Sequence, residues 1–184
     1  MPDSLMLRTL RLDPSDTLIF PAAAEPGEWA VPGGFRFWDD APESLAGKRQ
    51  QAFRGGFLGL GSFVWSTLAE VAAITPEQRA VAMEALAAHI HTAHGAPDLA
   101  AARAAAAEEL GFAESLCDQP PGTVFALHRS HDESGAVREA FRTLHRRETP
   151  HHDFGALPVF AISQVEEDAP QEAPDLAALV KARK

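Results

Sequence analysis

The sequence predicts an α+β fold in one domain. Three observations carry the prediction. Short apolar runs with polar interruptions stand near both ends, as in half-buried strands. A capped, alanine-rich helical stretch fills the middle. Turn clusters of Pro, Gly, Asp and Ser punctuate the elements. The expected architecture is a mainly antiparallel sheet from N- and C-terminal strands, a central helical section and a C-terminal β-α-β. The domain is expected to span 1–165. Residues 166–184 form an acidic, Pro-rich tail, flexible or docking through Leu176, Leu179 and Val180.

Leu5–Leu12 reads as a first strand, with Arg8 and Arg11 interposed. Asp13-Pro14-Ser15-Asp16 is a turn cluster, and Thr17–Phe20 a short second strand stopped by Pro21. Glu28–Val31 and Phe35–Trp38 flank Pro32-Gly33-Gly34, a hairpin signal. That arm would place Phe35 and Phe37 on one face, Arg36 and Trp38 on the other.

Leu45–Arg54 reads as a helix, and Ser62–Ile74 as a buried one. Thr75-Pro76-Glu77-Gln78 is the clearest local signal: N-cap, Pro at the first helical position, and a capping box closed by Gln78. That helix should run to His94, with Met83, Leu86, Ile90 and Ala93 inward and Gly95 as its stop. Asp98 caps the next helix, expected to end at Leu110 before Gly111. Thr123–Ser130 alternates Phe125, Leu127 and Arg129 against Val124, Ala126 and His128, as a strand does. Ala136–Arg147 is expected to be a helix and Leu157–Val165 the closing strand.

Composition excludes several classes. The 184 residues are enough for one domain with a core. The hydrophobic share of 46% and the charged share of 23% are those of a folded globular chain. A net charge of −10 opposes general binding to nucleic-acid phosphates. One cysteine, Cys117, cannot build a disulfide framework and suits a reducing compartment. The N-terminus lacks a basic region followed by an apolar core, and Gly55–Ala73 is too polar for a membrane span. A cytoplasmic location is expected. About a fifth of the residues are alanine, and Arg far exceeds Lys, as a G+C-rich genome produces.

Four features stand out as candidate chemistry. The histidines cluster, and a metal site would draw on His91 and His94, three apart on one helix face, with His128 and His131. The spacing fits no zinc-protease or zinc-finger motif. The ordinary reading, histidines in the last turns of a helix where its dipole favours cations, weighs more. No cofactor is expected, a transition metal being the exception considered. Gly55–Gly61 precedes an expected helix, but no Gly-Lys-Ser/Thr follows, and Val64 stands where a dinucleotide fingerprint needs a small residue. Close packing explains these glycines better. Arg129, Arg138 and Arg142 make a local basic cluster that would suit a small anion, or a solvated, salt-bridged face. Trp38, beside Arg36, is a candidate interface anchor, with burial at a core rim as the plainer alternative.

The runs Phe53-Arg-Gly-Gly-Phe-Leu-Gly-Leu-Gly-Ser-Phe63 and Pro32-Gly-Gly-Phe-Arg-Phe-Trp38 resemble a family of short proteobacterial proteins of unknown function. The resemblance extends to about Val165 and brings no catalytic motif. It implies genes neighbouring accessory genes of redox enzymes such as formate dehydrogenase. The reading is therefore a non-catalytic accessory or binding protein with a protein partner or a second copy of itself. The alternatives are a histidine-based metal protein and a binder of a small anion.

Overall fold

The computed structural model describes residues 4–144. Among these residues, two antiparallel sheets and four α-helices build the α+β fold that the sequence predicts. The larger sheet has the order β1-β5-β6-β7, from Ser4–Leu10, Leu68–Ile74, Val124–His131 and Val137–Leu144. The smaller has the order β2-β3-β4, from Ala30–Val31, Phe57–Gly59 and Trp65–Ser66. The helices are α1 (Ser15–Ile19), α2 (Gly47–Gly55), α3 (Pro76–Ala93) and α4 (Leu99–Ser115).

Strand β1 pairs with β5 along its whole length, from Ser4 opposite Ile74 to Leu10 opposite Leu68. β6 joins β5 at Ala69 opposite Phe125, and β7 runs back along β6 from His131–Val137 to Val124–Leu144. Helix α3 begins as expected: Thr75 Oγ1 accepts from the Gln78 amide, and Gln78 Oε1 accepts from the Thr75 amide. Asp98 caps α4 by accepting from the Ala101 amide at 2.8 Å. The two helices pack on each other, α3 burying Ala82, Leu86, Ala87 and Ile90 and α4 burying Ala102, Ala106, Leu110 and Ala113. Alanines let the helix axes approach closely, while the fully buried Leu86 and Leu110 supply most of the apolar area, about 1.5–3 kcal/mol each.

Several elements differ from the sequence expectation. Ser62–Ile74 is not a helix but β4 and β5. The run is short and rich in Trp, Thr, Val and Ile, and periodicity cannot separate a buried helix from a central strand flanked on both sides. The expected helix at 136–147 is β7 over its described part, so a hairpin replaces the β-α step. Val137 and Phe141 satisfy both periods, but burial alternates along β7 as a strand requires. Asp132 fixes the hairpin turn, its Oδ1 accepting from the amides of Ser134 and Ala136.

Thr17–Phe20 is not a strand. Asp13 Oδ1 accepts from the Ser15 amide and starts the short helix α1. Phe35–Trp38 is not the second arm of a hairpin but a single 3-10 turn, Gly34–Phe37, and β2 pairs with β3 instead. Gly111 lies inside α4 rather than ending it. The expected closing strand 157–165, the domain boundary at 165 and the tail 166–184 lie outside the described residues. No helix among the described residues is long and apolar enough to cross a membrane.

Candidate functional site

The strand alternation that places Phe125 and Leu127 inward carries Arg129 inward with them. Arg129 is 1% exposed. Its Nε donates to Glu139 Oε1 at 2.6 Å, the residue directly opposite on β7. Nη1 donates to the carbonyls of Phe53 (3.1 Å) and Gly56 (2.9 Å), and Nη2 to that of Pro32. One guanidinium thus ties the end of α2 and the Pro32 loop to the β6–β7 hairpin. Burial lowers its pKa, and the facing carboxylate of Glu139 opposes that fall. An arginine so placed stays charged.

The same loop is gripped from α4. The Gly33 amide donates to Glu109 Oε1 at 2.8 Å. Burial pushes the Glu109 carboxyl up from its ordinary value, and the amide hydrogen bond works against that. Gly33 is required here twice over. Its φ of 73° lies in the left-handed region, and a Cβ would stand 2.6 Å from Leu58 Cβ. The left-handed step turns the chain out of β2 into the 3-10 turn.

That turn is fixed on several sides. Phe37 is buried, stacked on Trp65 at 5.1 Å and edge-on to Phe53. Arg36 points inward, its Nη1 donating to His89 Nε2 on α3 at 2.8 Å. Acceptance by that nitrogen requires a neutral His89. Burial and the adjacent guanidinium drive the His89 pKa down to about 4, consistent with a neutral ring. Phe63 stacks on the other side of His89 with ring centres 3.9 Å apart. Its φ of 55° is a strained conformation for a bulky residue, about 1–3 kcal/mol, offset by that stacking and by the hydrogen bond its amide donates to the Gly59 carbonyl. His94 meets His89 and Phe35 edge-on, at 5.3 and 5.2 Å. Burial lowers its pKa as well. Arg49 donates to the Arg36 carbonyl and forms a 2.6 Å ion pair with Asp40, outside the angular range of a hydrogen bond.

At the end of this braced turn Trp38 projects outward, 77% exposed, touching Phe35 edge-on at 6.5 Å. The result is a row of rings, Trp38, Phe35, His94, His89 and Phe63, ending in an open indole. The expected pairing of Trp38 with Arg36 on one face does not occur, because the 3-10 turn sends one outward and the other into α3.

The other candidate residues are dispersed. His91 is exposed on α3, and His128 on the outward side of β6. His131 stacks on Phe53 at 4.6 Å. Among the described residues no group of three or more His, Cys, Asp or Glu is placed to hold a metal ion. Arg138 and Arg142 lie on the outward side of β7, opposite Ser130 and Ala126, while Arg129 lies on the inward side. The three arginines therefore do not form one cluster, and Arg138 is paired with Asp132 at 3.1 Å.

The glycine stretch is packing. Glu28 Oε2 accepts from the amides of Gly61 and Ser62, and a Cβ on Gly59 would stand 2.6 Å from that oxygen. Burial pushes the Cys117 thiol up to about 12, so it is no nucleophile at neutral pH. A shallow cleft of about 170 Å3 lies beside α1, but its buried carboxylate, Asp16, is already spent on the Thr67 amide and hydroxyl.

Sequence reasoning singled out Trp38 as a candidate and did not connect its turn with His89, Phe63 or Arg49. The alternation Phe125, Leu127, Arg129 was a usable signal that Arg129 faces inward. Nothing local announces the contacts of His89 with Phe63 and Arg36, which lie 26 and 53 residues away along the chain.

Residues 4–168 match a family of unknown function, DUF6505, and the chain belongs to that family. Neither a curated protein nor a solved structure matches it.

Proposed function

We propose that this protein is a non-catalytic binding protein, an accessory to another protein, and that the turn bearing Trp38 is its contact point. The observation carrying this reading is the 77% exposed indole on a turn that is itself held by Arg36, Phe37 and Arg49. An exposed tryptophan on a mobile loop would have to become ordered on binding, at a cost to affinity. On a braced turn that ordering is already complete, so more of the contact energy appears as affinity. Aromatic anchors of this kind dominate binding when buried by a partner.

The resemblance noted above supports a place beside redox-enzyme maturation in a proteobacterial cytoplasm. The buried, unpaired Cys117 supports a reducing setting. The test is affinity purification from the native host, comparing the natural chain with Trp38→Ala. The reading expects a defined protein recovered with the former and lost with the latter, at equal melting temperature. Recovery of the same protein by both would overturn it.

A further inference from the structure

We infer that the Trp38 turn takes a basic, arginine-bearing segment of its partner protein, the guanidinium lying against the indole and pairing with Asp39. This inference rests on the docking reading above and adds the chemistry of the partner. Four observations lead to it.

The indole face is open, and an aromatic face attracts cations, arginine most of all because its flat group also stacks. Asp39 and Glu43, one and five residues on, are both exposed and form no ion pair among the described residues. The two guanidinium groups beside the turn are already engaged. Arg36 bonds His89 and lies over Trp65 at 5.9 Å, while Arg49 pairs with Asp40 and lies over Phe37 at 5.1 Å. The net charge of −10 attracts a cationic partner at long range. The turn thus presents a π face followed by the Asp39 carboxylate, with Glu43 in the next 3-10 turn, Pro42–Ser44. The complement is a cation on an apolar stem, which describes arginine in a basic segment. Partners that are acidic, or purely apolar, leave Asp39 and Glu43 without a counter-charge.

Selection of random linear peptides about twelve residues long against the full chain tests this directly. The expected pool is rich in arginine with apolar neighbours. Synthetic representatives should bind about tenfold more weakly to Trp38→Ala and about threefold more weakly to Asp39→Asn, with affinity falling as salt rises. Asp39→Lys should turn the selection toward acidic peptides. A pool that depends on Trp38 but lacks basic residues, and ignores Asp39→Asn, overturns the arginine inference while leaving the docking reading intact. A pool indifferent to Trp38→Ala, or no enrichment at all, overturns both.

Discussion

Replacing Arg129 by methionine should cost more stability than any surface change in this protein. The two side chains are similar in length and volume, so the change removes charge and donors while leaving little cavity. Four acceptors then lose their partner: Glu139 Oε1 and the carbonyls of Phe53, Gly56 and Pro32. Glu109 also loses the cation that moderates its burial. Breaking a buried ion pair from one side costs about 3–5 kcal/mol, and each orphaned acceptor that water cannot reach about 1–3 kcal/mol. Local relaxation lets water reach some of them, so a total of about 4 kcal/mol is expected. For a domain of this size that lowers the melting temperature by about 10–15 °C. Urea unfolding of the natural chain, Arg129→Met, Glu139→Leu and the double variant forms the assay. The double variant should recover part of the loss, because the uncompensated Glu139 charge goes with it. A loss below about 1 kcal/mol, or strict additivity of the two changes, would refute the view of Arg129 as the tie between loop and hairpin.

Three further outcomes follow from the same structure. His89 titrates at about 4 in the fold and near 6.5 when unfolded, so its contribution is complete above pH 6.5 and is lost as pH falls toward 4. With screening of the partly exposed ring discounted, this amounts to about 1–2 kcal/mol; His89→Gln, which still accepts from Arg36, should flatten that part of the pH–stability curve, and an NMR pKa at or above 6.5 would contradict it. Thr75→Ala removes the α3 cap and should cost about 1 kcal/mol in urea unfolding, with the folded far-UV spectrum unchanged. Gly33→Ala should cost more than about 1 kcal/mol, since it combines a left-handed φ with a 2.6 Å approach to Leu58; a neutral result would show that the Pro32 loop can shift.

What the sequence made legible was local. The capping box of α3 and the Asp98 cap of α4 are fixed by residues three positions apart, and both were readable. The β6 strand was readable because its alternation is continuous. By contrast, β7 carries apolar residues that fit either period, and only its register against β6 decides. β5 is a strand because β1 and β6 flank it, partners about 60 and 55 residues away along the chain. At the candidate site, Trp38 stood out as an aromatic beside turn residues. The direction of Arg36 did not, because the left-handed Gly33 replaces the expected hairpin arm with a 3-10 turn and rotates Arg36 into α3.

The central claim, that the Trp38 turn is where a partner docks, is tested most directly by crosslinking in living cells. A photoreactive phenylalanine analogue is placed at position 38 in the native host, with Val81, 71% exposed on α3, as the control site. The account predicts a discrete adduct with one partner protein from position 38 and none from position 81. No adduct at 38, or the same diffuse pattern from both positions, would contradict it.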